Sequence, residues 1–247
     1  MARYSTRYTS SFSFGPNRIS TAVKALIIAN VVAFVAQIFF PVVTEYLGLR
    51  PIFVLRSFGI WQPVTYMFLH GGVFHIVFNM LALWMFGTEL EYRWGTRFFL
   101  KFYAVAGVGA GVLTVVLSLL PFAPARQLLY SNVIGASGAI YGLLLAYALY
   151  FPDRRVYMYF LFPIPVKVFV AILGGIAFLS SLGDSGGVAS ATHLSGLAIA
   201  YVYLKSGRMH PLAEVKYRYN KWKLNRMRKK FDVYSGGRAK DYDRRVH

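Results

Sequence analysis

An all-α, polytopic membrane fold is predicted by three observations. Hydrophobic residues make up 57% of the 247 residues and charged residues only 15%, where soluble domains carry roughly a quarter charged. The nine acids are too few to coat a soluble globule of this size. The apolar residues also fall into long blocks, the membrane signature, and lipid forces such blocks to be helical because it offers their backbone groups no hydrogen bonds.

Six blocks are candidate spans, in chain order. Thr21 to Val43 is the first; no small-residue cleavage site follows its apolar stretch, so it reads as an uncleaved span rather than a signal peptide. Phe74 to Leu90 is the second. Phe98 to Leu120 is the third, stopped by Pro121, and Val133 to Phe151 is the fourth, stopped by Pro152. Val166 to Leu182 and Ala191 to Leu204 are the fifth and sixth. The second, fifth and sixth are short for a full crossing, which suggests burial among neighbours or a thin bilayer. The loop from Pro41 to Val73 carries Trp61, Tyr66 and Phe68, a composition suited to the membrane interface.

Charge sets the expected orientation. With a cytoplasmic N-terminus, the cytoplasmic sections hold Arg3, Arg7, Arg18 and Lys24; Arg93, Arg97 and Lys101; Arg154, Arg155 and Lys167; and the basic tail. The outer loops keep Arg50, Arg56 and Arg126. That is the asymmetry of the positive-inside rule, and it returns the C-terminus to the cytoplasm. The expected organisation is a cytoplasmic segment over 1–20, a membrane domain over 21–206 and a basic cytoplasmic tail over 207–247. Of the 27 Lys and Arg, 14 lie from Lys205 onward. The net charge of +18 is therefore concentrated toward the tail, with the rest of the chain only mildly basic, and is weak evidence for nucleic-acid binding. The tail suits contact with anionic lipid or a solvated extension that fixes topology. Without cysteine the chain has no disulfides, thiolate metal sites or thiol catalysis.

A polar side chain inside a span is costly, so each one is a functional candidate. His75 and Asn79 share a helix face at i, i+4. Spans 2, 4 and 6 all run inward, and His75, Ser137 and His193 stand near their starts, at similar depth below the outer surface. The chemistry is coherent. A serine hydroxyl needs a base to take its proton, and His193 is a base of suitable range. Attack on a carbonyl needs donors for the oxyanion, available from Asn79, His75 and the Ser137 amide. Ser137 lies in Gly135-Ala136-Ser137-Gly138 at a helix start, where free N–H groups favour negative charge. Taken singly, each residue has a plainer reading. Ser137 in a glycine-rich run packs helices, and His193 is a satisfied interhelical donor. His75 with Asn79 is a structural bond, His70 is an interface residue, and Tyr141 is a core aromatic. Glu89 and Glu91 pair with Arg93 or Arg97. Gly138 with Gly142, and Gly196 with Ala200, are small-xxx-small pairs that predict close packing of spans 4 and 6 either way. Three separated histidines without acids make a poor ligand set, so neither metal nor cofactor is indicated.

These residues resemble the rhomboid family of intramembrane serine proteases, of the bacterial six-helix type, over roughly 21–206. Gly135-Ala136-Ser137-Gly138 with Tyr141 and Gly142 is similar to the family's nucleophile segment. His193 in Thr192-His193-Leu194-Ser195-Gly196 is similar to its base, and His75 to Asn79 to its H-x-x-x-N segment. Glu91-Tyr92-Arg93-Trp94-Gly95 resembles the acidic end of the second helix. The resemblance implies a Ser137–His193 dyad, Tyr141 stacked on His193, an oxyanion hole of Asn79, His75 and the Ser137 amide, and transmembrane proteins as substrates. It also implies a multi-pass protein of a bacterial inner membrane. Gln62 follows Trp61 where the family often has arginine, and Tyr66 stands where some members have histidine, which leaves the anchoring of the outer loop open. Two other classes stand beside this reading. An inactive rhomboid-like binder of transmembrane clients would usually lack the serine or histidine. A channel would line the full membrane depth with polar groups, whereas here they gather near one side.

Overall fold

The structure, a computed structural model, describes residues 15–16, 18–121, 123–158, 162–182 and 187–208. The expected tail over 207–247 lies almost wholly outside them, as do residues 1–14. Helix α1 (Thr21–Phe39) ends ahead of Pro41. Three short helices follow in the connecting segment: α2 (Val42–Leu47), α3 (Pro51–Arg56) and α4 (Gln62–Thr65). Pro51 and Pro63 sit in first turns, where a missing N–H costs nothing. Helices α5 (Val73–Ala82) and α6 (Thr88–Trp94) run on through a π-helical turn at Leu83–Gly87 as one 22-residue rod. Gly95, at φ +80°, ends that rod, and α7 (Thr96–Leu117) starts beyond it. Then come α8 (Ala123–Tyr130), α9 (Ser137–Tyr150), α10 (Val166–Ser181) and α11 (Gly187–Arg208).

Four of these rods are long and apolar enough to cross a membrane: Thr21–Phe39, Val73–Trp94, Thr96–Leu117 and Gly187–Ser206. Helices α9 and α10 are apolar but shorter. The protein is thus a largely helical, multi-pass integral membrane protein. Two expectations about length are corrected. The second and sixth spans are long rods, because their helices continue past the apolar run into residues with partners of their own, such as Glu91. The fourth is short, as the fifth is: residues 131–136 are not helical, and Val133 instead pairs with Leu49 in an isolated antiparallel bridge. An all-α expectation also missed a small hairpin, β1 (Arg155–Met158) against β2 (Phe162–Pro165), with Arg155 opposite Pro165. Prolines at 163 and 165 bar helix there.

Helix α7 is the central post. Its buried face repeats at helical spacing through Phe99, Phe102, Tyr103, Ala106, Gly107, Ala110 and Thr114. Helix α9 is buried nearly all round, which suits a helix with no polar face. Outer faces are apolar instead: Val32 is 63% exposed, Phe74 79% and Leu179 68%. Large side chains turned outward in this number mark a lipid-facing surface.

The acids do not pair as expected. Glu91 accepts from the Ala22 and Val23 amides at 3.0 and 3.1 Å and from Thr96 Oγ1 at 2.8 Å, closing the N-terminus of α1. Glu89 accepts from Tyr147 Oη at 3.0 Å and pairs with Arg154. Open amides at a helix start and a tyrosine on a neighbouring helix drew these carboxylates inward. Arg93 lies over the Tyr150 ring, 5.6 Å from its centroid.

The outer segment has its own anchors. Gln62 is fully buried; its Oε1 accepts from Arg50 N at 3.0 Å and its Nε2 donates to Tyr46 O at 3.2 Å. Trp61 Nε1 donates to Tyr46 O at 3.0 Å, with its ring stacked on Tyr46 at 5.7 Å. Tyr66 is also fully buried and donates to Gly107 O at 2.7 Å. Burial raises the Tyr66 phenol pKa, which keeps it a neutral donor. Gln62 and Tyr66 thus tie the segment down without arginine or histidine.

Candidate active site

Three helices meet where the polar residues gather. Gly135 N donates to Tyr66 O at 2.9 Å, which holds the turn ahead of α9 against the outer segment. Gly135 has φ +129°, a conformation L side chains rarely adopt. A Cβ there would lie 3.0 Å from both Cε1 and Nε2 of His75 and 3.5 Å from Ser137 Oγ. The His75 ring edge and the serine hydroxyl therefore face one small volume, which glycine leaves open.

Ser137 is the first residue of α9 and half-buried. Its Oγ stands 2.8 Å from His193 Nε2 on α11. The His193 ring stacks on Tyr141 with centroids 4.2 Å apart and planes 6° from parallel. Tyr141 lies one turn below Ser137 on the same face, so a single helix carries both the hydroxyl and the support for its partner. Helices α9 and α11 approach through small residues. A Cβ on Gly196 would fall 2.0 Å from Gly138 O, and one on Gly142 would fall 3.1 Å from Ala200 Cβ. Thr114 and Thr192 hydroxyls, 3.1 Å apart, tie α7 to α11 beside the site.

On α5, His75 and Asn79 lie on the face turned toward Ser137. Asn79 is buried, and its Nδ2 donates to His75 O at 2.8 Å, leaving its second N–H free to serve another acceptor. His75 Nδ1 accepts from Gly71 N at 3.1 Å. His70, expected at the interface, is buried at 3% exposure and packs edge-on against His75 with centroids 5.1 Å apart. Burial, with His75 beside it, lowers the His70 pKa to about 4, so the ring is neutral at physiological pH. Among the described residues no group of three His, Cys, Asp or Glu side chains could hold a metal ion.

All seven sequence-predicted residues (Ser137, His193, His75, Asn79, Tyr141, Gly135 and Gly138) thus belong to one cluster. Sequence reasoning passed over Gln37, Gly71 and the Thr114–Thr192 pair. Gln37 did carry a signal: it is a polar amide near the end of an apolar run.

A family model for the Rhomboid domain matches residues 57–208. Curated relatives include the mitochondrial Rhomboid protein 1 of Saccharomyces cerevisiae, 31% identical over 139 residues, covering 55% of this chain and 38% of that protein. RHOMBOID-like protein 12, mitochondrial, of Arabidopsis thaliana is 28% identical over 156 residues, 59% of this chain and 46% of that one. Rhomboid protease GluP of Bacillus subtilis is 34% identical over 140 residues, 56% of this chain and 24% of that one. The matched region spans less than half the length of these relatives, which come from both mitochondria and bacteria.

Proposed function

The chain belongs to the rhomboid family, and from that premise we propose that it is an intramembrane serine protease cutting transmembrane protein substrates near the outer membrane face. The observation that carries the reading is the 2.8 Å contact between Ser137 Oγ and His193 Nε2 beside an open, donor-lined volume. Ser137 is the nucleophile and His193 the general base. As Oγ attacks the scissile carbonyl carbon, His193 Nε2 takes its proton and the carbonyl oxygen becomes an oxyanion. The His75 ring, the free Asn79 N–H and the Ser137 amide at the head of α9 are the donors that meet that charge. Collapse breaks the C–N bond, and His193 returns the proton to the leaving amine. Water, activated by the same ring, then releases the acyl group and restores Ser137. Tyr141 holds the imidazole by stacking, the task a carboxylate performs in a triad.

The accompanying topology has six crossings, with both termini and the loops carrying Arg93, Arg97, Arg154 and Lys167 on the cytoplasmic side. The dyad then lies in the outer half of the membrane. The tail from 207 contacts anionic headgroups.

The test is cleavage of a reporter transmembrane substrate in liposomes, with a fluorophosphonate serine probe run in parallel. Wild type should cut and be labelled at Ser137, whereas Ser137→Ala and His193→Ala should lose both by at least about a thousandfold. Equal behaviour of wild type and Ser137→Ala would instead establish a client-binding relative without catalysis.

A further inference from the structure

Gln37 stands in the last turn of α1, and its amide pairs with both the N–H and the C=O of His70. Its Oε1 accepts from His70 N at 2.8 Å and its Nε2 donates to His70 O at 3.3 Å. The His70 N–H, a donor only, fixes which way the amide points, and the same Nε2 also donates to Thr44 Oγ1 at 2.8 Å, which steadies it. The next residue supplies the Gly71 N–H that donates to His75 Nδ1. Two consecutive residues are thus clamped on one side by α1 and engaged on the other with the histidine of α5.

The consequence is chemical. A nitrogen that accepts a hydrogen bond carries no proton, so the neutral His75 ring holds its proton on Nε2. Nε2 is one of the two ring atoms nearest the volume over Gly135. The ring therefore presents a donor there; the opposite tautomer would present a lone pair. Residues 69–72 lie in no helix or strand, and Gly71 and Gly72 give the segment wide conformational freedom. Without an anchor, the Gly71 amide would leave its alignment with Nδ1 readily.

We propose that Gln37 is a positioning residue for His75: by clamping His70 it holds the Gly71 amide on Nδ1 and keeps the His75 ring in the Nε2–H tautomer. The bearing of that tautomer on catalysis rests on the protease reading, with His75 as an oxyanion donor. The tautomer itself does not depend on it. A purely structural glutamine would lower stability when lost and leave the ring's protonation pattern alone.

The experiment uses the full chain in liposomes with 15N-labelled histidine, and identifies His75 by the signal lost in His75→Ala. Wild type should show one His75 species, protonated at Nε2 and unprotonated at Nδ1. Gln37→Met, close in shape and without polar atoms, should give mixed tautomers. It should also lower kcat roughly tenfold at unchanged KM, since losing an oxyanion donor outright costs about a hundredfold or more. Thr44→Val, which removes only the bond steadying the amide, should shift both readouts the same way by less. If Gln37→Met does not fold, Thr44→Val decides alone. A wild-type ring protonated at Nδ1, or an unchanged tautomer in the folded variants, overturns the proposal. A tautomer shift in a protein that the serine probe never labels upholds the clamp and overturns the protease reading instead.

Discussion

Gly196→Ala adds one methyl group where α9 and α11 touch backbone to backbone. Its carbon would sit 2.0 Å from Gly138 O, 2.8 Å from Gly138 C and 3.2 Å from Gly138 Cα, where ordinary contacts begin near 3.4 Å. A backbone carbonyl inside a helix cannot turn aside, so the two helices must separate by about 1 Å or more. Gly138 adjoins Ser137, and Gly196 lies three residues from His193, so the separation falls on the 2.8 Å contact between them. Stretched to about 4 Å, that contact is no longer a hydrogen bond. Overpacking should cost about 1–3 kcal/mol of stability, and a misplacement of about 1 Å should slow chemistry on the order of a hundredfold. The assay pairs thermal unfolding in detergent with the rate of Ser137 modification by a fluorophosphonate. Gly175→Ala on α10 is the control, since nothing lies within 4 Å of its added carbon; it should melt at or above wild type with unchanged labelling. A Gly196→Ala protein that melts and labels like wild type would refute the reasoning.

Tyr141→Leu, which removes the stack on His193, should slow labelling of Ser137 more than Tyr141→Phe does, by the factor of roughly 2 to 13 that about 0.5–1.5 kcal/mol of ring contact implies. Glu91→Ala leaves two helix-start amides and a threonine hydroxyl without their acceptor and should cost about 1–3 kcal/mol in a melting experiment. Arg154→Ala, in a pair whose side chains are 51% and 27% exposed, should cost at most about 1 kcal/mol. His70, with its pKa lowered from 6.5 to about 4 by burial, makes stability fall with acid. Above 6.5 both folded and unfolded chains carry it neutral. Between 6.5 and 4 only the unfolded chain takes the proton, so stability drops across that window and levels below it. Melting curves from pH 8 to pH 5 should therefore fall more steeply for wild type than for His70→Phe, and parallel curves would contradict the assignment.

The membrane class, the apolar helices and the polar residues that gather around Ser137 and His193 were legible in the sequence because each rests on local chemistry. A run of apolar residues must be helical in lipid wherever it sits, and a serine in a glycine-rich helix start or a histidine at membrane depth stands out against its own neighbours. Tertiary structure alone decided which groups meet. Glu91 found the open amides of α1, and Glu89 found Tyr147 and Arg154, although Arg93 and Arg97 were nearer in sequence. Gln62 and Tyr66 anchor the outer segment through main-chain carbonyls, partners that carry no side-chain signature. Gln37 reaches His70 across 33 residues in the same way. Backbone donors and acceptors are identical at every position, so which of them a polar side chain satisfies is settled only when the helices have packed.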